Sequence, residues 1–400
     1  MAAPVVAVVG GGQLARMMAP AAVALGVHLR VLVEAPDSSA AQVVPDAPVG
    51  AANDDAAIRS LVEGADVLTF EHEHVPNALL RDLRGHGIPV HPGPEALVHA
   101  QDKIVMRRRL TELGLPCPRW AELPDTASLE RFLVEVGGTA VVKTSRGGYD
   151  GKGVRVVHSV EDVADWFEDA VEGPALLVEE KVAFTRELAV LVARSPSGEI
   201  RTWPVVESIQ EDGVCSVVVA PAPDLDPTVD EEARRVAVAV AEGLGVTGVL
   251  AVELFEVAGE AGRGGSVVVN ELAMRPHNSG HWTIDGSVTS QFEQHLRAVL
   301  DLPLGDTTPR ARWTVMANVL GSSRSELTEA LAEVSIADPS VKVHLYGKAV
   351  RPGRKLGHAT ATGDDLADVR RRAEAAAALI QGGTPTVPDP PPSDTEREDS

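Results

Sequence analysis

The sequence predicts an α/β protein with a doubly wound parallel unit at its amino end, a strand-richer central region and a smaller carboxyl-terminal region. Near the amino end, apolar runs of strand length alternate with helix-period segments, the pattern of a parallel sheet built from βαβ units. The glycine cluster Gly10-Gly11-Gly12 lies between the first strand and the first helix, where such sheets place ligand-binding turns. Hydrophobic residues make up 44% of the chain but aromatic ones only 3%. The cores are therefore mostly Val, Leu and Ala, which suits parallel sheets buried on both faces.

Taken in order, Val5–Val9 reads as a strand and Gly12–Leu25 as a helix with apolar positions Leu14, Met17, Met18 and Leu25. Leu29–Val33 is a second strand, Asp54–Leu61 a helix with Asn53 as its N-cap, Val67–Phe70 a third strand and Pro89–Val90 a short fourth. A further helix runs from near Gln101 to Gly114, followed by the proline-marked link Leu115-Pro116-Cys117-Pro118. Strands follow at Ala140–Lys143, Val154–Val157, Ala175–Glu179, Glu187–Val192, Val217–Val219, Gly248–Val257 and Ser266–Leu272. Helices fall near Leu129–Val136, Val160–Ala170 and Asp230–Leu244, and the glycine-rich stretch 258–265 joins the last two strands as a hairpin loop. The smaller region carries strands Thr314–Leu320 and Lys342–Tyr346 and an alanine-rich helix, Asp365–Ile380. Residues 381–400 are rich in Pro, Asp, Ser and Thr without periodicity and are expected to be a disordered tail.

At 400 residues the chain has room for two or three domains. A formal charge of −22 disfavours broad attraction to nucleic acid or an anionic membrane, so an anionic substrate needs a locally basic pocket. The two cysteines, Cys117 and Cys215, lie far apart, which argues against a disulfide scaffold or a zinc site and fits a reducing compartment. No segment approaches the roughly 18 consecutive apolar residues that span a bilayer. The apolar start, Pro4 to Val9, lacks a basic flank and reads as a strand rather than a signal peptide. A cytoplasmic protein is expected.

Gly10-Gly11-Gly12-Gln13-Leu14-Ala15 satisfies G-x-G-x-x-A between strand and helix, and Glu34 ends the second strand where a dinucleotide fold places its ribose-binding acid. An NAD-dependent oxidoreductase is thus one reading; a glycine turn without NAD is the other. After the strand Ala140–Lys143 comes a second glycine cluster, Gly147-Gly148-Tyr149-Asp150-Gly151-Lys152-Gly153, and then another strand. A hairpin of this kind folds over triphosphate oxygens, with free amides and Lys152 neutralising charge. It is not a P-loop, because Gly153 follows Lys152 and no helix follows. The alternative is a flexible hairpin with a solvated lysine.

On the paired strands, alternation puts Glu253 on the face of Ala251 and Phe255, and Glu271 on the face of Val267 and Val269. Two such carboxylates with Asn270 beside them make an oxygen-ligand site suited to Mg²⁺ bridging phosphates; a salt bridge to Arg275 or Lys143 is the alternative for each. Arg275-Pro276-His277-Asn278-Ser279-Gly280-His281-Trp282 packs polar groups into a turn-rich stretch, which points to binding. Lys348, Arg351, Arg354 and Lys355 crowd cations together in an acidic protein, which points to a phosphate pocket. In Glu71-His72-Glu73-His74, Glu73 or Glu71 suits a substrate contact better than the histidines suit a metal, since no third ligand is evident. Neither cysteine has an activating partner, so both are read as structural.

These residues, in this order, resemble the ATP-grasp superfamily: Lys143, the loop from Gly147 to Gly153, Glu179 in Val178-Glu179-Glu180-Lys181-Val182, then Glu253 and Asn270-Glu271. Within it the sequence is most similar to the N5-carboxyaminoimidazole ribonucleotide synthase family of bacterial purine biosynthesis. The likeness is carried by Gly10-Gly11-Gly12-Gln13-Leu14-Ala15-Arg16-Met17, by His277-Asn278-Ser279-Gly280-His281-Trp282-Thr283 and by Arg351-Pro352-Gly353-Arg354-Lys355-Leu356-Gly357-His358, over about residues 5 to 360.

The resemblance implies an N-terminal Rossmann-like domain (1–100), a central ATP-grasp domain (101–310) with a mobile lid (about 116–182) and a small C-terminal domain (311–380). It implies ATP between two sheets, with the adenine near Glu179, Glu180, Lys181 and Val182 and the ribose on Glu187. Lys103 and Lys143 would contact phosphates beneath the loop of Gly148, Tyr149, Asp150, Gly151, Lys152, Gly153 and Val154, with Asn270 also at the nucleotide and Glu253 and Glu271 on Mg²⁺. Where a related sequence has histidine, this chain has Gln210. The ribonucleotide would meet Gln13, Glu73, His277, Asn278, Ser279, Lys348, Arg351, Arg354 and Lys355. Tyr149, Asp150, Arg275 and Lys348 would lie at the reacting groups, with Asp150 orienting the amine. The implied reaction is ATP- and bicarbonate-dependent carboxylation of 5-aminoimidazole ribonucleotide by a homodimeric ligase. Its rivals are a formate-dependent glycinamide ribonucleotide transformylase, the oxidoreductase and a silent nucleotide-binding module.

Overall fold

The computed structural model describes residues 3–147, 153–170, 173–259 and 265–383. Gly148, Tyr149, Asp150, Gly151 and Lys152, and 384–400 of the expected tail, lie outside the described residues.

At the amino end, β1 (Val5–Val9), α1 (Gln13–Leu25), β2 (His28–Leu32), α2 (Asp55–Leu61), β3 (Val67–Phe70), α3 (Asn77–Gly85) and α4 (Pro94–Gln101) alternate around a parallel sheet of order β2-β1-β3. The expected fourth strand shrinks to a single bridge between Leu68 and Val90, because Pro89 offers no N–H and Pro92 soon ends the run. Asp54, not Asn53, caps α2, its carboxylate accepting from the Ala57 amide. In this domain two helices, α3 and α4, escape a reading of the sequence, as those at Thr283–Gly286, Gln291–Val299 and Ala330–Ala337 do further along. α3 buries only Leu79, Leu80 and Leu83, and α4 opens on Pro94 at a first-turn position that tolerates proline.

The chain then passes through α5 (Lys103–Glu112) into β4 (Trp120–Leu123), α6 (Thr126–Val136), β5 (Ala140–Thr144), β6 (Val154–Val157), α7 (Ala164–Asp169) and β7 (Leu176–Glu180). Their strands form an antiparallel sheet of order β4-β7-β5-β6, with Leu129, Phe132 and Leu133 of α6 packed on Val142 and Val178. Next come β8 (Phe184–Arg194), β9 (Ile200–Thr202), β10 (Val206–Glu211), β11 (Val214–Ala220), α8 (Pro227–Gly243), β12 (Gly248–Val257), β13 (Ser266–Ala273), α9 (Thr283–Gly286) and α10 (Gln291–Val299). The last elements are β14 (Trp313–Leu320), α11 (Ala330–Ala337), β15 (Lys342–Leu345), β16 (Lys355–Gly363) and α12 (Leu366–Ile380). One large antiparallel sheet of order β13-β12-β8-β10-β11-β14-β16-β15 unites them, with β9 paired to β8. The C-terminal strands thus continue the central sheet through the β11–β14 ladder.

Composition suggests parallel sheets, yet only the small N-terminal sheet is parallel. The reason lies in β8. Leu188, Val190 and Val192 pack with Val229, Val236 and Val240 of α8, while Ala189, Leu191 and Ala193 pack with Trp203 and Trp282 on the other face. An antiparallel strand covered on both sides reads as the same unbroken apolar run that parallel strands show.

Candidate active site

A cleft of about 1380 Å³ opens between the β4–β7 sheet, the edge of the large sheet and the carboxyl ends of the parallel strands. Of the nucleotide and metal residues expected from the sequence, every described one except Gly153 lines it, as do Gln13, Glu73, Arg275, His277, Asn278, Lys348 and Lys355. Ser279, Arg351 and Arg354 do not. Ser279 is buried behind His277, its hydroxyl 2.9 Å from Nδ1, and Arg354 donates to the Ala349 carbonyl at 3.1 Å on the loop beyond.

At one end stand two lysines. Lys143 belongs to β5, and the Thr144 amide beside it donates to Gly153, whose φ of 68° suits glycine. The Lys143 ammonium lies 2.8 Å from Oε2 of Glu179, and Oε1 of the same carboxylate lies 2.7 Å from Nε of Arg107. Burial pushes Glu179 up, but the two cations outweigh it and hold the carboxyl at about 2. Lys103, at the start of α5, donates to the Gly147 carbonyl at 3.0 Å, and its own pKa is pulled down by burial.

Opposite them, Glu253 and Glu271 are registered partners across β12 and β13. A bulge follows the pair, so Leu254 faces Val269 and Asn270 is the extra residue. The bulge corrects the expected facing: Leu272, not Glu271, joins Val267 and Val269 in the core, and Glu271 turns outward into the cleft. Neither alternative salt bridge forms, since Lys143 holds Glu179 and Arg275 holds Glu73 at 2.9 Å. The partner of Glu253 is instead His277, with Nε2 3.1 Å from Oε1. The Ser279 amide donates to His277 Nδ1, so Nε2 carries the proton and donates to Glu253. Burial, followed by the neighbouring Glu271 and Glu187, pushes Glu253 up to about 8. Glu253 and Glu271, paired across the two strands and both lining the cleft, are a carboxylate pair whose hard oxygen donors fit a divalent cation. Among the described residues no group of three or more His, Cys, Asp or Glu is placed to hold a metal ion, so the protein's own contribution here is limited to this pair.

At the far end the glycine turn is already occupied by the protein. Glu71 Oε1 accepts from the Gly12 amide at 2.5 Å, and Oε2 from Leu14 and Ala15, each at 3.1 Å. A dinucleotide pyrophosphate would need those amides, so the NAD reading fails on geometry. A Cβ on Gly12 would collide with Glu71 Oε1. Glu34 faces His72 at 3.8 Å, and the His72 and His74 rings sit 5.0 Å apart. Gln13 reaches the cleft from α1 and accepts from the Lys348 ammonium, which sits 5.6 Å from the Tyr346 ring. The loop carrying Lys348 is clamped to the parallel-sheet domain: Gln42 donates to the Gly347 carbonyl at 2.7 Å and Ser39 to that of Tyr346 at 2.5 Å.

Three positions at the cleft, Arg107, Phe184 and Phe255, escape a reading of the sequence. Arg107 sits in the run Arg107-Arg108-Arg109, which looks solvated, yet it is wholly buried. Phe184 and Phe255 stack at 4.5 Å and give the cleft an apolar wall; Phe184 lies before the strand predicted from Glu187. Gln210, singled out in the sequence as standing where a related sequence has histidine, lies on β10, lines the cleft and donates to Ser208 at 3.0 Å.

Two antiparallel sheets closing on one cleft, lysines on one side and paired carboxylates on the other, define an ATP-grasp enzyme. Family models agree: an ATP-grasp domain matches residues 108–292, a ribonucleotide synthetase preATP-grasp domain 3–101 and a phosphoribosylaminoimidazole carboxylase C-terminal domain 314–372. The chain belongs to the N5-carboxyaminoimidazole ribonucleotide synthase family. It is 54% identical to the N5-carboxyaminoimidazole ribonucleotide synthase of Mycobacterium tuberculosis, over 95% of this chain and 89% of that one. With the Corynebacterium ammoniagenes synthase it shares 51%, over 94% and 92%. The N5-carboxyaminoimidazole ribonucleotide synthetase of Thermus thermophilus superposes with a TM-score of 0.82 at 36% identity, covering 95% of this chain and 99% of that one. The Aspergillus clavatus synthase, solved with ADP and 5-aminoimidazole ribonucleotide, superposes with 0.84 at 30% identity, covering 95% and 99%.

Proposed function

We propose that this chain is an ATP-dependent ligase that carboxylates the exocyclic amine of 5-aminoimidazole ribonucleotide, with bicarbonate as the carbon source. The observation that carries the reading is the single cleft in which Lys103, Lys143 and the Glu253–Glu271 pair meet Gln13, Arg275 and Lys348. A nucleotide's phosphates fit the first group and an anionic ribonucleotide the second. Phe184 and Phe255 offer the adenine a flat apolar face, with Glu187 beside them for the ribose.

Bicarbonate is a poor electrophile because hydroxide leaves it badly. Phosphorylation by ATP converts that oxygen into a phosphate leaving group, as carboxyphosphate, and the amine then attacks the carbon. Lys103 and Lys143 stabilise charge on the transferring phosphoryl group. Glu253 and Glu271 would hold Mg²⁺, which neutralises phosphate charge when bound. His277, kept neutral by burial and by the nearby Arg275 and Lys355, donates to Glu253 and fixes its orientation. Arg275, steadied by Glu73, presents a cation to the reacting carboxyl group. Lys348, held by Gln13 across the domain junction, serves the ribonucleotide. The roles of Tyr149 and Asp150 at the amine rest on the family resemblance, as does a homodimer. Among the described residues no helix is long and apolar enough to cross a membrane, and a cytoplasmic site of action is proposed with the function.

The test is ADP release with each substrate omitted in turn. Product formation that requires both bicarbonate and 5-aminoimidazole ribonucleotide is expected. Stimulation by formate with glycinamide ribonucleotide instead would overturn the assignment.

A further inference from the structure

Arg107 is the most deeply buried cation among the described residues, with a side-chain exposure of 0%. Removing a guanidinium from water is costly unless its charge and its donors are matched. Here Nε meets Glu179 of β7 at 2.7 Å, while Nη1 and Nη2 donate to the Val269 and Asn270 carbonyls of β13 at 2.9 and 2.8 Å. One side chain on α5 therefore ties the β4–β7 sheet to the edge of the large sheet.

The contacts fall on both halves of the nucleotide site. Glu179, 3% exposed, divides its two oxygens between Arg107 and Lys143. Two cations around one carboxylate leave one net positive charge, and it is the Lys143 ammonium that donates from the cleft wall. Without Arg107, Glu179 would neutralise Lys143, and the phosphates would face a lysine whose charge is already spent. The two carbonyls belong to the bulge that turns Glu271 away from the Val267 and Val269 face. A guanidinium fork is the donor shape that spans adjacent carbonyls in this way, which an ammonium does not.

We infer that Arg107 is a positioning residue of the nucleotide site: it sets the charge that Lys143 presents to the phosphates and pins the strand that carries Glu271. The inference rests on the proposed reading of Lys143 and Glu271.

The test is a charge-balance series on the full-length enzyme, Arg107→Met, Arg107→Lys and Arg107→Met with Glu179→Gln, read as KM and kcat for ATP and for the ribonucleotide. Arg107→Met is expected to raise KM for ATP about tenfold while moving that for the ribonucleotide about twofold or less, since one partly desolvated charge is lost at one end of the cleft. Arg107→Lys keeps the charge and should lie nearer wild type in KM. Adding Glu179→Gln should restore KM for ATP, because Lys143 is again unopposed, while kcat stays low because the bulge is still unpinned. Leu110→Ala, a core deletion one turn along α5, should lower the melting temperature without moving KM. Should Arg107→Met fail to fold, the double variant, which buries no carboxylate at position 179, is compared directly with wild type and with Glu179→Gln. Unchanged ATP constants in a folded Arg107→Met protein, or a double variant with KM worse than either single change, would make the arginine merely structural and overturn the inference. ADP affinity by calorimetry is read alongside on every variant. A wild type that binds ADP but turns nothing over would sink the proposed function, and Arg107 would then stand or fall on the ADP affinities alone.

Discussion

Glu253 and Glu271 stand directly opposite each other on β12 and β13, and the first of them is held protonated to about pH 8 by burial and by the second. The Mg²⁺ proposed for this pair would bind there only after that proton leaves. Mg²⁺ added at pH 7 should therefore release close to one proton per ion, measurable by calorimetry in buffers of different ionisation enthalpy. Affinity should climb as pH rises towards 8. Because the folded-state pKa is raised, the metal-free protein should lose stability between about pH 4.5 and 8, a loss that Mg²⁺ reverses. Mg²⁺ binding without proton release would contradict the pairing.

Glu271→Gln removes one charge from that pair. Turnover is expected to fall by about a hundredfold or more, since an oxygen ligand to a phosphate-bridging ion is lost. The melting temperature should hold or rise, because the Glu271 charge is, after burial, one of the causes that raise Glu253 and so destabilise the metal-free fold at neutral pH. Steady-state ADP release and a thermal melt decide it, and wild-type activity would remove Glu271 from the metal.

Glu179 gives a pH dependence of opposite sign. Its folded pKa, about 2, lies below the ordinary carboxylate value of 4.5, so its stabilisation is complete above about pH 4.5 and vanishes as pH falls through about 2. Breaking a buried pair of this kind costs about 3–5 kcal/mol. Urea unfolding of Glu179→Gln against wild type should show that gap at pH 7 and a clearly smaller one at about pH 3. A gap independent of pH would mean the loss is steric.

Glu71 reaches back to cap α1 with both oxygens, at Gly12 and at Leu14 and Ala15. Glu71→Ala should cost about 1–2 kcal/mol, the range of a lost N-cap aided by the helix dipole. It should bind NAD no better than wild type, as judged by fluorescence titration with NADH.

The basic cluster divides. Lys348 and Lys355 line the cleft whereas Arg351 and Arg354 do not. Lys348→Ala should raise the KM for ribonucleotide, or depress kcat, by about tenfold or more, as loss of a charged substrate contact does. Arg354→Ala should change either constant by about threefold or less at the cleft's edge. The reverse ranking would place the 5′-phosphate on the outer loop.

What can be read along the chain is local. β1, β3, β6 and β12 have the bounds their apolar patterns predict, because a strand's burial shows in its own residues. Lys143, Glu253 and Glu271 stand out for the same reason, as charges breaking apolar strands. Four features stay hidden because each depends on a partner far away. The internal carboxylate that fills the glycine turn follows the third strand, whereas the turn itself follows the first. A bulge at Asn270, set by pairing with β12, reverses the face of Glu271. Coverage of β8 by α8 on one side and by Trp203 and Trp282 on the other makes an antiparallel strand look parallel. Arg107 is one of three consecutive arginines with nothing in its neighbours to mark it, and only the meeting of α5, β7 and β13 seals it from water. Hydrophobic period is a property of short stretches; facing, pairing and desolvation arise only when distant stretches pack together.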